Sequence, residues 1–335
     1  MGKQRIEYID AMRGMTMILV VFSHVCGLCL GDSWMGFNDV FFLFRLPCFF
    51  FISGWLFEPV REPAPTVVRK KFLVQIVPTL IFLLLLAPPP AFFHQLGTTK
   101  GGYWFTFALF VFFMLHLLTA RLGTWWRGIV AIVITIAAFS YDVCYNSSFT
   151  PPQWVSNILG ALSFATWRYY LFFFTGTLAK RHFDRFLRIV STPAYITVIV
   201  LLFIATAVLT TTAPPHGLIT AYALFAIGGL TGMTMVFAFF RYAAPLFAKE
   251  KVMGRSLQYI GTRTLDIYLL HYFFLPRILL PLGDTLRAYN SKPVEFAVAL
   301  LIALAVVGVC LIASRLLRLS PFLARWLFGV SKPQR

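Results

Sequence analysis

The sequence is poor in charged residues. They make up 12% of its 335 residues, whereas a typical soluble domain has about 25%. Hydrophobic residues reach 59%, and phenylalanine alone occurs 37 times. This composition excludes a soluble globular enzyme, a disordered chain and a secreted disulfide scaffold, and it predicts a polytopic membrane protein.

Acidic residues are scarcer than basic ones, so the net charge is +17, from 29 Lys and Arg against 12 Asp and Glu. A chain this basic can bind nucleic acid. Its basic residues, however, lie mostly in short clusters between apolar runs, which is where they orient membrane helices. The same clusters also suit a polyanionic ligand at one membrane face. We expect a lipid bilayer and no nucleic acid as the partner.

The chain has only five cysteines, an odd number, and four of them lie inside apolar runs. Both observations argue against a disulfide framework. His24 precedes the pair Cys26 and Cys29, as in some metal sites. On a helix, however, His24 and Cys26 point about 160° apart and do not converge on one ion. We therefore expect small packing residues here and no metal.

Ten apolar segments have the length of roughly 17–25 residues that crosses a bilayer. Pro88–Pro90 end the third, because a run of prolines cannot continue a helix. The ninth is interrupted by charged and polar residues. The ten segments are 15–31, 39–57, 72–90, 103–120, 128–144, 155–179, 194–212, 217–240, 257–281 and 294–314.

Basic residues alternate between the predicted loops. Most of them fall in the set of loops that includes both termini, whereas the opposite set holds only Lys100, Arg277, Arg287 and Lys292. By the positive-inside rule, both termini are predicted to be cytoplasmic. No internal repeat or soluble segment is visible, so we expect residues 1–335 to form a single transmembrane domain. The predicted fold is an all-α bundle of about ten transmembrane helices.

Ionisable side chains inside the spans need a reason, because each costs about 2.5–3.5 kcal/mol at the bilayer centre. In the first span, Arg13 and His24 are eleven residues apart, which places them about 20° apart around a helix. Asp10 lies on the same face. This face is therefore predicted to point into the protein, with Arg13 near the cytoplasmic surface and His24 in the outer half of the bilayer.

The other intramembrane polar residues allow two interpretations. Arg45 in the second span reaches the predicted depth of His24, and Asp266 and His271 in the ninth span are predicted at intermediate depths. Depth alone therefore suggests one buried cluster of these four residues. The alternative for a lone intramembrane histidine, including His116 and His271, is a structural hydrogen bond between helices. For Arg168, which lies between Trp167 and Tyr169, the alternative is a structural cation–π contact or a hydrogen bond to a backbone carbonyl.

Several short motifs are spread along the whole chain. The first runs from Arg5 to Gly14 and continues to His24, with an Arg-x10-His spacing in Arg13 and His24. The others are Phe44-Arg45-Leu46-Pro47 with Ser53-Gly54, Tyr103-Trp104-Phe105, Phe172 to Gly176, and Gly261, Thr264, Tyr268 and His271. Together these motifs resemble the acyltransferase-3 family of integral-membrane acyltransferases. Where many members carry Arg-x-x-Arg before the third helix, this chain has Arg69-Lys70-Lys71.

The resemblance implies an enzyme that moves an acyl group, usually acetyl from acetyl-CoA, to a hydroxyl of a sugar or cell-surface glycan. The chain is most similar to the stand-alone sugar O-acetylase form, in a bacterial inner membrane. His24 would be the base or a transient acyl carrier, and Arg45 would stabilise the oxyanion. Asp10 and Arg13 would orient the donor at the cytoplasmic mouth.

The same resemblance suggests which residues bind the two substrates. The phosphates of acyl-CoA would be held by Arg13 together with Arg69, Lys70 and Lys71. The candidate residues for binding the acceptor are Tyr103, Trp104, Asp266, Tyr268 and His271. The oligomeric state, the acceptor and the acyl chain are left open, as is the choice between direct transfer and an acyl-enzyme.

Three other functions remain open at this stage. A transporter or flippase for a glycan or lipid-linked sugar would use the same polar residues to line a path, although no matched halves are visible. The separate class of membrane-bound O-acyltransferases would rely on a histidine in an apolar helix, here His116. The third is a non-catalytic sensor or assembly protein. No Gly-x-Ser-x-Gly elbow indicates a lipase-like serine mechanism.

Overall fold

The computed structural model describes residues 6–57, 62–147, 151–212 and 217–330, and for residues 145–147 it describes the backbone alone. Arg5 of the first motif, and the terminal basic residues Lys3, Lys332 and Arg335, lie outside them. Among the described residues all regular structure is helical, which confirms the all-α prediction. The helices are α1 Glu7–His24, α2 Asn38–Phe57, α3 Ala64–Lys71, α4 Val77–Leu86, α5 Ala91–Gly97, α6 Trp104–Leu118, α7 Thr124–Ser147, α8 Gln153–Ala161, α9 Tyr170–Arg181, α10 Phe183–Val190, α11 Pro193–Thr212, α12 Leu218–Tyr242, α13 Val252–Thr262, α14 Thr264–Phe274, α15 Leu280–Tyr289, α16 Lys292–Leu317 and α17 Pro321–Phe328.

Within the described residues, seven helices are long and apolar enough to cross a membrane. An eighth span is obtained if the pair Thr264–Phe274 and Arg277–Tyr289, bent by 59°, is counted as one. The protein is therefore a multi-pass membrane protein. The seven are Glu7–Cys29, Asn38–Phe57, Trp104–Arg121, Thr124–Cys144, Pro193–Thr212, Leu218–Tyr242 and Lys292–Leu317.

The predicted count of ten is not confirmed, because two of the predicted segments are interrupted and a third ends early. The segment 155–179 breaks at Ser163, whose left-handed backbone (φ 52°) separates α8 from a 3-10 turn and α9. The segment 257–281 breaks at Arg263 and again at Pro276. In 72–90, α4 ends at Leu86, two residues before the proline run. The cytoplasmic placement of the termini stays a prediction.

The described residues form two compact units. The first is drawn from Met1–Ile52, Asp184–Pro215 and Ala223–Leu316. In it α1 buries one long apolar face, including Met12, Met17 and Phe22. Helix α11, in contrast, leaves Val198, Leu201 and other apolar side chains exposed, as a surface against lipid tails requires.

The second unit is drawn from Ser53–Phe183, His216–Tyr222 and Leu317–Arg335. Its core is aromatic: Phe112, Tyr170 and Phe173 are almost fully buried and contact one another. The carbonyl of Phe173 lies 2.0 Å from the position that a Cβ on Gly54 would occupy. The end of α2 and helix α9 therefore pack with their backbones in contact. The prediction of one domain over residues 1–335 stays a prediction.

Glycines bring α1 and α13 equally close in the first unit. A Cβ on Gly14 would lie 2.0 Å from the carbonyl oxygen of Leu257, and a Cβ on Gly261 would lie 2.0 Å from that of Asp10. Both neighbours are backbone atoms, which cannot rotate away as a side chain can. This contact fixes the amino-terminal half of α1, which carries Asp10 and Arg13, against α13.

Gly261→Ala is therefore expected to destabilise the protein by about 1–3 kcal/mol, the usual cost of overpacking. The matched control is Gly308→Ala, in α16, where a Cβ meets nothing within 4 Å. There the better helix propensity of alanine applies without a clash. The midpoint of unfolding in detergent measures both variants. Equal midpoints would show that α1 and α13 are not in backbone contact.

Candidate functional site

His24 is the last residue of the regular α-helix α1, directly before a π-helical turn. The regular helix ends at His24, and Val25–Cys29 continue it as a π-helical turn. Single π-turns of this kind are frequent at functional sites, because they turn a side chain away from the regular helical spacing. The imidazole is partly exposed, whereas Cys26 and Cys29 behind it are completely buried.

Two residues of α14 contact the His24 ring. The hydroxyl oxygen of Tyr272 lies 3.3 Å from Nε2 of His24. The ring of His271 lies 5.0 Å from that of His24, and 4.1 Å from that of Tyr272, between centroids. The ring of Tyr268 lies 5.9 Å from that of His271. The structure therefore brings three predicted residues, His24, Tyr268 and His271, together around Tyr272.

Arg45 is held beside this group by a short polar chain. Its guanidinium donates a hydrogen bond of 2.6 Å to the side-chain oxygen of Asn38, about two turns earlier on the same face of α2. The amide nitrogen of Asn38 donates to the carbonyl of Ser33 at 2.5 Å and to the hydroxyl of Ser23 at 3.3 Å. Arg45 and Asn38 are both buried, and the charge of Arg45 acts on the His24 imidazole. One guanidinium and two imidazoles thus share one buried region.

Asp10 and Arg13 lie at the other end of α1. Asp10 is buried and Arg13 is half-buried. Eleven residues of helix place Arg13 about 16 Å from His24 along the axis. These two residues therefore lie too far from His24 to contact the same small reacting group, and they suit the remote part of a long substrate.

Asp266 lies apart from the histidine group. It accepts a hydrogen bond from the hydroxyl of Ser314, and it forms an ion pair of 3.8 Å with Arg263. Five residues of α14, about 7.5 Å of helix, separate it from His271. The contacts of Asp266 with Ser314 and Arg263 thus lie at the start of α14, where they tie α14 to α16.

Tyr103 and Trp104 belong to the second unit. Tyr103 is completely buried, and its carbonyl accepts a hydrogen bond from the hydroxyl of Thr106. Trp104 is half-buried and its ring is nearly parallel to that of Tyr169, with centroids 6.2 Å apart. Of the two, only Trp104 presents part of its ring to a ligand.

The basic cluster of Arg69, Lys70 and Lys71 forms the last turn of α3. Arg69 and Lys70 are exposed, and Lys70 pairs with Glu62 at 2.7 Å. The ammonium of Lys71 lies 4.1 Å from the ring centroid of Phe113. The helix continues from Lys71 through the π-helical turn Phe72–Ile76 into α4. Basic residues beside an apolar segment also set membrane orientation, which is the alternative to a bound anion.

His116 has a structural partner in the second unit. One guanidinium nitrogen of Arg127 lies 2.9 Å from its Nδ1 and 2.8 Å from its Nε2, and both residues are buried. The rings of Phe57 and Phe173 approach it edge-on. The buried guanidinium and the surrounding phenylalanines leave the His116 ring no exposed edge for a substrate.

Three residues of interest were missed from the sequence. Tyr272 was passed over although it follows His271 directly, and Asn38 although it lies seven residues before Arg45 on the same face of α2. The third is Lys100, which is buried and donates to the carbonyl of Gly160 at 2.9 Å. Burial lowers the pKa of Lys100 to about 8. Of these three residues, only Asn38 could have been found from the sequence, because its helical spacing places it on the same face as Arg45.

The comparisons with known proteins identify the family and nothing finer. The family model described as an acyltransferase domain, acyltransferase-3, matches residues 6–315. No curated protein and no solved structure matches the chain. Within the residues that the structure describes, no group of three or more His, Cys, Asp or Glu side chains is arranged to hold a metal ion.

Proposed function

Because this chain belongs to the acyltransferase-3 family, we propose that it transfers an acetyl group from acetyl-CoA to a hydroxyl of a sugar or cell-surface glycan. The family makes it a membrane acyltransferase; the donor and the acceptor are the proposal. The observation that supports it most is the partly exposed ring of His24 between Tyr272, His271 and Arg45. A base and a cation are what this reaction needs at its centre.

The proposed reaction forms an ester bond and breaks a thioester. A sugar hydroxyl is a weak nucleophile at neutral pH, so His24 removes its proton as the oxygen attacks the thioester carbonyl. Arg45 stabilises the negative oxygen that develops on that carbonyl. The C–S bond then breaks, and His24 returns the proton to the sulfur of CoA. A transient acyl group on His24 is the variant of this mechanism in which the histidine attacks first.

We propose that a long donor accounts for the distance between the polar groups of α1. Acyl-CoA carries its phosphates far from its thioester, so Asp10 and Arg13 can orient one part while His24 acts on the other. Arg69, Lys70 and Lys71 are the proposed phosphate ligands in the second unit. Of the residues predicted to bind the acceptor, Trp104 is half-buried, whereas Tyr268 and His271 are buried.

We infer the topology from the charges of the loops. The excess of basic residues in the loops that include the termini supports a cytoplasmic location for both. An even number of spans, such as the eight obtained when the bent pair is counted as one, would place both termini on the same side. Acetyl-CoA would then enter from the cytoplasm. We propose a bacterial inner membrane as the location, as the sequence resemblance implies.

The test of the function uses purified protein, radiolabelled acetyl-CoA and a panel of sugars and glycans. Label is expected to move from acetyl-CoA to at least one acceptor, with one CoA thiol released for each ester formed. A thiol-reactive dye counts the released CoA. Protein that binds neither acetyl-CoA nor CoA would contradict the proposal and favour a transporter of glycans or lipid-linked sugars.

Replacing Arg69, Lys70 and Lys71 together by glutamine is expected to raise the KM for acetyl-CoA roughly tenfold or more, because each lost contact to a phosphate is worth about 1.5–3 kcal/mol. The kcat is expected to change little, since these residues bind a part of the donor that does not react. Rates measured over a range of acetyl-CoA concentrations separate the two constants.

The matched control for this triple variant changes three exposed basic residues elsewhere, Lys249, Lys251 and Arg255, to glutamine. This second triple variant loses the same charge, and its KM is expected to stay near that of the wild type. If both triple variants raise KM equally, the effect is a general attraction of anions and Arg69–Lys71 do not form the donor site.

A further inference from the structure

His271 is the most deeply buried polar group near His24, and the protonation of its ring is fixed by the backbone. Its Nδ1 lies 2.7 Å from the carbonyl oxygen of Tyr268 and 3.2 Å from that of Ile267. A carbonyl oxygen only accepts hydrogen bonds, so Nδ1 must carry the hydrogen and donate it. In a neutral imidazole the other nitrogen, Nε2, then holds a lone pair.

This lone pair has no hydrogen-bond partner among the residues that the structure describes. Nε2 of His271 is buried and unpaired, and the side chain is 0% exposed. Buried polar atoms are nearly always paired in native proteins, and the exceptions need an explanation such as a catalytic role. A histidine that only joined helices would be expected to use both ring nitrogens in hydrogen bonds. An apolar residue could otherwise fill the same space.

The arrangement of the two rings indicates what the lone pair is for. His24 is partly exposed and His271 is completely buried, with 5.0 Å between the ring centroids. That separation allows a nitrogen of one ring to come within hydrogen-bond distance of the other when they face each other. Of the two residues, only His24 is exposed enough to contact a substrate directly.

We propose that His271 is a positioning residue for the transfer reaction, whose Nε2 accepts a hydrogen bond from His24 when His24 is protonated. This proposal rests on the proposed function. The proton leaves the acceptor hydroxyl for His24, the O–C bond forms, the C–S bond breaks, and the same proton goes from His24 to the sulfur of CoA. His271 gains and loses no proton, and its lone pair orients and stabilises the imidazolium.

The charges around the pair explain why a neutral acceptor suits this position. Arg45 places a positive charge close enough to affect His24, and among the described residues the phenol rings of Tyr268 and Tyr272 contact the pair. A second positive charge on His271 would oppose the protonation of His24. The carbonyls of Tyr268 and Ile267 keep the hydrogen on Nδ1, so that Nε2 stays an acceptor.

A double-mutant cycle tests the proposal, with His24→Ala, His271→Leu and both together in the same purified form. His271→Leu is expected to lower kcat about 10-fold to 100-fold, a part of the usual contribution of acid–base groups, with the KM for acetyl-CoA unchanged. The double variant is expected to be no slower than His24→Ala alone, because residues that act as a unit are not additive.

His271→Gln is the conservative variant, since its amide oxygen can accept the same hydrogen bond. It is expected to recover at least part of the kcat lost in His271→Leu, and it keeps the test possible if the leucine variant does not fold. Additive losses in the cycle, an unchanged kcat in His271→Leu, or no recovery in His271→Gln would each overturn the proposal. Wild-type protein that transfers no label would contradict the proposed function itself, which is a separate outcome.

Discussion

Replacing His24 by alanine is expected to abolish acetyl transfer to the acceptor while leaving the protein folded. The expected loss of kcat is about 10²–10⁴-fold, the usual contribution of a general acid–base group. The side chain is only partly buried and its polar contact is the hydroxyl of Tyr272, so its removal leaves a small cavity and one displaced hydrogen bond. The midpoint of unfolding is therefore expected to stay near that of the wild type.

The measurement combines the initial rate of label transfer with the affinity for acetyl-CoA. Since His24 acts on the reacting carbonyl and hydroxyl and not on the phosphates, acetyl-CoA binding is expected to remain. The control is His94→Ala, which removes an exposed histidine of α5 and is expected to leave both quantities unchanged. Full transfer by the folded His24→Ala variant would contradict the assignment of the base.

Replacing Arg45 by glutamine is the second change with a large expected effect. Removing one group that stabilises an oxyanion lowers kcat by about 10²–10³-fold, and we expect a loss of this size with little change in the KM for acetyl-CoA. The reason is that the charge of Arg45 matters when negative charge develops in the transition state, and an interaction made only there affects kcat. Rates at saturating donor and acceptor measure this directly.

Arg45→Lys serves as the matched variant for charge. It keeps a positive charge, but an ammonium cannot reproduce the planar guanidinium that donates to Asn38. An activity between those of wild type and Arg45→Gln is expected. Equal kcat values in the wild type and in Arg45→Gln would show that Arg45 serves the folding of α2 alone.

The sequence predicted the class and the helical nature of the protein because both depend on composition and local pattern. It also placed Arg45 near the level of His24, since depth follows from counting residues along two helices. It did not predict where the apolar segments break. The left-handed Ser163 carries no proline or glycine signal. The bend after Phe274 does have one, in Pro276, but the apolar pattern continued through it.

The contacts around His24 were only partly predictable for the same reason. Counting depth alone suggested Asp266 as a neighbour of His24, but the rotation of α14 turns it towards Ser314 and Arg263. The same rotation brings Tyr272 to the His24 nitrogen. Tyrosine occurs 13 times in this chain, and nothing in the sequence distinguishes this one except that it follows His271.

The most direct test of the central claim compares label transfer from acetyl-CoA by purified wild-type protein, His24→Ala and His116→Gln. Wild type and His116→Gln are expected to transfer label, because His116 is enclosed by Arg127 and aromatic rings, whereas His24→Ala is expected to transfer none above background. Transfer that survives in His24→Ala and disappears in His116→Gln would contradict the account and move the reacting centre to α6.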